Sequence, residues 1–175
     1  MAGDHLFVDR VSYNFRHPTR GEIIVFETKG IERMDIRQQG EFYIKRLVVL
    51  GDEKVRIGND RHLVIDGKRL DEHTPHFENV YSFDPKQPPQ ESRYSGHVNQ
   101  FVANEYGYTY PLAPLFPDES SVYQVPSNHY MVMGDNTMNS SDSRTWGDFT
   151  RTNVIGKYLF VYWPVSPRFG FNNVR

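Results

Sequence analysis

Short apolar runs, each the length of a strand and each bounded by turn-forming residues, constrain the fold of this chain more than any other feature. They are Leu6–Val8, Glu22–Phe26, Phe42–Leu50, His62–Ile65, His129–Met133 and Val154–Trp163. Val, Ile, Tyr and Phe dominate them, and these residues fit the pleated surface of a sheet. No long segment has the 3.6-residue period of an amphipathic helix. The sequence therefore predicts an all-β, mostly antiparallel fold with few and short helices.

Turn signals between the runs divide the chain. Asp66–Gly67 predicts a two-residue hairpin turn, because both residues accept a positive φ. Residues 71–126 are rich in Pro, Asn, Gln and Ser, which is typical of a loop-rich insertion. We therefore expect a β core formed by residues 1–57 and 127–175, with residues 58–126 inserted as a smaller domain of β-structure and loops.

Composition excludes several classes of function. The formal net charge of −2 does not indicate a broad nucleic-acid-binding surface, so we expect no nucleic-acid partner. The absence of cysteine excludes disulfides, thiolate metal sites and a cysteine nucleophile. His73 and His76 have no carboxylate or thiol partners at metal-ligand spacing, and we expect no metal site there. No run approaches the roughly 20 apolar residues that cross a bilayer, so the chain as written is expected to be soluble.

Lys45 is unusual because it lies inside a strand that is apolar on both faces. Alternation places Lys45 with Tyr43, Leu47 and Val49, and places Arg46 on the opposite face. One of the two cations should therefore lie against the core. Burial disfavours an ammonium ion, and a neutral lysine can act as a general base. The simpler alternative is a lysine that extends its amine to solvent.

The segment Gly134–Gly147 is a second unusual feature, because it concentrates short polar side chains directly after a strand. A structured loop is the simplest interpretation from composition alone. A calcium-binding loop is excluded, since Ser140 stands where glycine is required and Trp146 where a glutamate should bind the ion.

Together these segments resemble type I signal peptidases, the serine–lysine leader peptidases. Four segments match in the family's order, and the loop that begins at Gly134 is the most diagnostic. They are Gly3–Phe26, Tyr43–Arg46 with Gly51–Asp52, Gly134–Gly147, and Ile155–Pro164.

The resemblance implies a role for each matching residue. Lys45 would be the general base, and Ser140 would orient its amine. Asp142 and Arg144 would form an ion pair that holds the loop beside the active site. The resemblance further implies a signal-peptidase-like β core, no metal or cofactor, and the signal peptides of exported preproteins as substrates. The full-length protein would work at a cell membrane with its catalytic domain on the extracytoplasmic side.

The chain also departs from the family pattern. The family nucleophile is a serine in a Ser-Met-x-Pro-like segment that would lie shortly before Gly3, and no such segment occurs in these 175 residues. Ser12 lies downstream of that position. The chain as written is therefore expected not to cleave signal peptides. Thr137 and Met138 replace an Arg-Asp pair that is usual in the loop, and the proline common before Gly51 is absent.

Two other functions remain open at this stage. A LexA-like self-cleaving regulator has related serine–lysine chemistry, but its helix-turn-helix is not found here. A catalytically dead relative that acts as a binding module is the other alternative. Trp163, Phe169 and Phe171 near the end of the chain could contact a membrane surface, since such rings favour the water–lipid boundary. Closure of the core by the same rings is the simpler alternative.

Overall fold

The computed structural model describes residues 5–91, 93–163 and 170–171, and these residues form two antiparallel sheets with short helices between them. The first sheet contains β1 (His5–Asp9), β2 (Ile23–Glu27), β3 (Phe42–Val49), β8 (His129–Met133), β9 (Phe149–Thr150), β10 (Val154–Trp163) and β11 (Gly170–Phe171). The second contains β4 (Lys54–Ile57), β5 (Leu63–Ile65), β6 (Lys68–Arg69) and β7 (Tyr123–Gln124). The helices are α1 (Gln100–Glu105) and α2 (Ser143–Trp146), and 3₁₀ turns cover Ser12–Asn14, Ile36–Gln38 and Arg151–Asn153. The predicted all-β, mostly antiparallel fold is confirmed.

Strand order in the first sheet is β1-β10-β2-β3-β8-β9, with β11 paired to β10. Strand β3 therefore lies between β2 and β8, although the chain visits the whole second sheet between β3 and β8. Arg46 of β3 pairs with Met133, the last residue of β8. This register places Lys45 beside the loop that leaves β8 at Gly134, which brings the two unusual sequence features together.

Strand β3 is apolar on both faces because it separates two hydrophobic clusters. Leu47 packs in one cluster with residues such as Phe26 and Trp146, while Val49 packs in the other, with residues of the second sheet. Simple alternation had placed Leu47 and Val49 on one face, and that detail is wrong. The register between β3 and β8 shifts between these two residues, and such an irregularity moves the following side chain to the other face.

The second sheet begins with β4, a strand that the sequence analysis did not identify. In the same sheet, the hairpin between β5 and β6 turns at Asp66 and Gly67. Their φ values of 48° and 80° are both positive, as the sequence predicted. Val55 and Ile57 of β4 share one cluster with Val48, Met131 and other residues of the first sheet. The two sheets thus share one core, and the division into residues 1–57 with 127–175 and residues 58–126 stays a prediction.

No helix within the described residues is long and apolar enough to cross a bilayer. The side chains of Trp163, Phe169 and Phe171, for which membrane contact was considered, lie outside the described residues.

Candidate active site

The centre of the site is a hydrogen bond between two residues 95 positions apart in the sequence. Lys45 Nζ donates to Ser140 Oγ at 2.9 Å. Strand β3 supplies the lysine and the loop after β8 supplies the serine. The distance lies within the 2.6–3.2 Å range of a working base and its partner. The contact expected between Lys45 and Ser140 is therefore present, while their catalytic roles stay predictions.

The surroundings of Lys45 weaken the hold of its amine on a proton. Burial lowers the pKa of Lys45 below its ordinary value of 10.5, and the nearby Arg144 guanidinium lowers it further. The carboxylates of Asp142 and Asp135 act in the opposite direction but do not cancel the effect of burial. The ring of Tyr43, two residues earlier on the strand, lies 5.9 Å from the amine. A lysine in this setting loses its proton more easily than one in water.

Asp142 and Arg144 form a completely buried ion pair beneath the loop. Arg144 Nε and Nη2 each donate to one carboxylate oxygen of Asp142 at 2.9 Å, and both side chains are 0% exposed. Asp142 also accepts from the backbone N–H groups of Gly134 and Arg144, at 3.0 and 3.1 Å. Burial raises the pKa of Asp142, but the Arg144 charge and these hydrogen bonds outweigh burial and lower it overall. The pair holds both ends of the segment that carries Ser140.

A second ion pair, between Arg46 and Asp135, was not identified in the sequence. Arg46 Nε and Nη2 donate to Asp135 at 2.8 and 2.6 Å, and Arg46 Nη1 donates to the carbonyl oxygens of Gly21 and His76. Burial disfavours the Arg46 cation, yet its bonds to Asp135 keep its pKa above the ordinary value. The sequence did contain a signal for this ion pair, because Arg46 lies next to Lys45 in an apolar strand and needs a partner for its charge. The side chains of Lys45 and Arg46 are both largely covered by protein. The sequence had predicted this for only one of the two.

Gly134 lies directly against the lysine–serine contact, which the residue types alone did not indicate. A Cβ atom at Gly134 would lie 2.2 Å from Ser140 Oγ and 3.5 Å from Lys45 Nζ. Only glycine leaves room for the lysine–serine contact. An open cavity of about 160 Å³ adjoins this point, and it is lined by Ile23, Ile44, Lys45, Arg46, Gly134, Asp135, Asn136, Asn139 and Ser140.

The arrangement can remove a proton from a hydroxyl group placed in this cavity. Lys45 supplies an amine of lowered pKa, and Ser140 restricts where its lone pair points. The apolar residues Ile23 and Ile44 line the same cavity and can contact small side chains of a molecule bound in it. Within the described residues no cluster of His, Asp or Glu is arranged to hold a metal ion.

Comparison with known proteins gives one consistent family. The family described as signal peptidase, peptidase S26, matches residues 1–163. A probable signal peptidase I-2 from Synechocystis sp. is 30% identical over 97% of this chain and 59% of its own length. Signal peptidase I from Leptolyngbya laminosa is 28% identical over 94% of this chain and 63% of its own length. A crystal structure of a signal peptidase I from Enterococcus faecalis covers 81% of this chain at 24% identity, with a TM-score of 0.47. The chain thus spans about three fifths of the length of these two relatives.

Proposed function

Because the chain belongs to the signal peptidase family, peptidase S26, we propose that it forms the catalytic region of a serine endopeptidase that removes signal peptides from exported preproteins. The observation that carries this proposal is the 2.9 Å contact between Lys45 Nζ and Ser140 Oγ in a cavity where the pKa of the lysine is lowered. A serine hydroxyl delivered to this cavity would lose its proton to Lys45 as it attacks the scissile carbonyl. Ser140 is a positioning residue for Lys45, and Asp142 with Arg144 holds the loop.

The substrate would bind as an additional extended strand. Among the described strands, β8 pairs with β3 only from Arg46 onward, so the Tyr43–Lys45 part of β3 lacks a strand neighbour on that side. A peptide there would form main-chain hydrogen bonds with the exposed edge, which supply affinity without demanding a particular sequence. The cavity beside Ile44 and Gly134 would accept small side chains next to the cleaved bond.

The membrane surface is the second proposed partner, on the extracytoplasmic side of a cell membrane. Support comes from the edge of the first sheet, where Phe7 is 51% exposed and stacks on Phe160 at 4.9 Å. Tyr162, 42% exposed, lies at 4.9 Å on the same Phe7 ring. Exposed rings of this kind favour the water–lipid boundary. Replacing Phe7 by Ser should weaken liposome binding, and unchanged binding would contradict this partner.

Cleavage of a fluorogenic signal-peptide substrate tests the proposed chemistry. We define the extended chain as this chain preceded by residues that carry a Ser-Met-x-Pro-like segment. The extended chain should cleave after small residues, while the chain as written should not. Lys45→Ala in the extended chain should abolish cleavage, with a loss on the order of 10⁶-fold, because a nucleophile and its base act as a unit. Ser140→Ala should reduce cleavage less, because Ser140 only orients the amine.

The control is Lys68→Ala in the extended chain, since Lys68 is exposed at the β5–β6 hairpin. It should leave cleavage unchanged. Robust cleavage by the extended Lys45→Ala protein would contradict the serine–lysine mechanism. Specific peptide binding without cleavage by the extended chain would favour the binding-module alternative, and cleavage of its own backbone in place of the peptide would favour the LexA-like alternative.

A further inference from the structure

The loop that carries Ser140 is attached to the segment around α1 at two adjacent residues, Thr137 and Met138. Both are buried, at 0% and 1% exposure. Ser140 follows only two residues later, so whatever holds Thr137 and Met138 also restricts the place of the Ser140 hydroxyl.

Thr137 connects three parts of the molecule through two oxygen atoms. Its Oγ1 accepts from Arg144 Nη1 at 2.8 Å and from the backbone N–H of Val98 at 3.1 Å. Its carbonyl oxygen accepts from Arg144 Nη2 at 2.7 Å. Arg144 Nη1 also donates to the carbonyl oxygen of Val98 at 3.3 Å. The guanidinium that neutralises Asp142 is therefore held on its far side by Thr137 and Val98.

Met138 strengthens the same attachment by packing and by its backbone. Its side chain lies in a small cluster with Val98, Val102, Ala103 and Leu112. Its carbonyl oxygen accepts from the hydroxyl of Tyr110 at 3.0 Å. Helix α1 is itself fixed at its first turn, where the Asn99 side chain accepts from Val102 N. The α1 segment thus presents a packed and hydrogen-bonded surface to the loop.

We propose that Thr137 is a positioning residue for the Lys45 amine, through which the segment Val98–Tyr110 controls the place of Ser140 and of the Asp142–Arg144 pair. This inference rests on the proposed function, because it assigns Thr137 to the support of the proposed base. The predicted inserted domain, residues 58–126, contains this segment. On this proposal the domain is a necessary part of the active site rather than a separate module.

The electrostatics around Lys45 give the expected direction of the effect. Among the described residues, Asp135, Asp142 and Arg144 of the loop act on the charge of the amine, and the Tyr43 ring lies beside it. Arg46 of the same strand lines the same cavity. Without the Thr137 hydroxyl, Arg144 Nη1 loses its shortest bond and the guanidinium moves more freely. Asp142 is then less neutralised and water reaches the site more easily. Both changes favour the ammonium form, so the pKa of Lys45 should rise.

The experiment measures the pKa of Lys45 in the chain as written, from the pH dependence of acetylation by acetic anhydride. Exposed Lys29, Lys54 and Lys68 are internal standards in the same digest. Thr137→Val keeps the side-chain shape and removes the acceptor, and Thr137→Ser is the matched control that retains it. We expect Thr137→Val to raise the pKa of Lys45 by about one unit, or about tenfold lower reactivity at neutral pH, and Thr137→Ser to match the wild type. A purely structural role would lower thermal stability and leave the pKa of Lys45 in the folded protein unchanged.

The outcomes separate this inference from the proposed function. A wild-type Lys45 that titrates like the exposed lysines would overturn both. A lowered wild-type pKa that stays the same in folded Thr137→Val would overturn only the role of Thr137. If circular dichroism shows that Thr137→Val does not fold, Tyr110→Phe replaces it. Tyr110 is 47% exposed, and this substitution removes only the hydrogen bond from its hydroxyl to Met138. Tyr110→Phe should raise the pKa of Lys45 in the same direction by a smaller amount, and no rise would overturn the inference.

Discussion

At the scale of single residues, the site depends on how closely side chains can approach Lys45. An amine of lowered pKa needs a dry position, and the Ser140 hydroxyl must reach it without displacing it. Gly134 makes this approach possible because it has no Cβ atom. The contact between Lys45 and Ser140 therefore depends on a neighbouring residue that has no side chain.

Gly134→Ala tests this point. Its Cβ would lie 2.2 Å from Ser140 Oγ and 2.7 Å from Ser140 Cβ, so the serine must move away from Lys45. We expect cleavage by the extended chain to fall by about 10²-fold, since misplacement by about 1 Å has this effect in active sites. The measurement is kcat with the fluorogenic signal-peptide substrate.

The control for Gly134→Ala is Gly40→Ala. A Cβ at Gly40 would meet nothing within 4 Å, although the positive φ of 80° strains alanine there. Gly40→Ala should lower the free energy of unfolding by about 1 kcal/mol and leave kcat unchanged. Full activity of Gly134→Ala would mean that Ser140 does not need its observed position.

At the scale of elements, the register of the strands decides which side chains meet. Strand β3 pairs with β2 in unbroken register from Phe42 to Arg46 but changes register against β8 after Leu47. This irregularity lets β3 contribute Leu47 to one cluster and Val49 to the other. The β5–β6 hairpin is a simpler element, because its turn is determined locally by Asp66 and Gly67.

Gly67→Ala should weaken that hairpin without affecting the site. Gly67 has a φ of 80°, a conformation that costs alanine about 1 kcal/mol of free energy of unfolding relative to glycine. Chemical denaturation measures the change. Asp66→Asn is the matched control, since Asn tolerates positive φ and its side-chain oxygen can still accept from Lys54 N. A Gly67→Ala protein as stable as the wild type would show that the turn adopts another conformation in solution.

At the scale of the whole molecule, Glu22 joins elements that are far apart in the chain. Its carboxylate accepts from Arg16 at 2.6 and 3.0 Å, from Lys157 of β10 at 2.8 Å and from Tyr13 at 3.1 Å. The Glu22 side chain is only 5% exposed. Burial by itself raises the pKa of Glu22, but the bonds from Arg16 and Lys157 outweigh burial and hold it below its ordinary value of 4.5.

Glu22→Gln should therefore destabilise the protein in a pH-dependent way. Because the folded pKa is lowered, the contribution of Glu22 is fully present above about pH 4.5 and is lost as the pH falls through the folded pKa. At neutral pH we expect the variant to lose roughly 2 kcal/mol of free energy of unfolding, and the difference from wild type should shrink towards acid pH. Urea denaturation at several pH values measures this. Glu32→Gln, at an exposed position, is the control and should stay within about 0.5 kcal/mol of wild type at each pH. A difference for Glu22→Gln that grows towards acid pH would contradict the assignment.

The sequence alone determined the features that depend on neighbouring residues. Strand positions, the scarcity of helix and the Asp66–Gly67 turn follow from side-chain type and period, which act over a few residues. The motifs around Lys45 and Gly134 were equally visible, and through them the family. Strand β4 was missed because Lys54–Ile57 is short and contains two cations, and its place is set by pairing with β5 and β7.

Only the tertiary structure decided which of these residues meet. Lys45 and Ser140 are 95 positions apart, Arg46 and Asp135 are 89 apart, and Val98 and Thr137 are 39 apart. Such contacts depend on the register of β3 against β8 and on the packing of the α1 segment over the loop. Both are set by the burial of many apolar side chains together, so no local pattern contains them. The sequence therefore indicated the residues of the site, and the shared core brought them into contact.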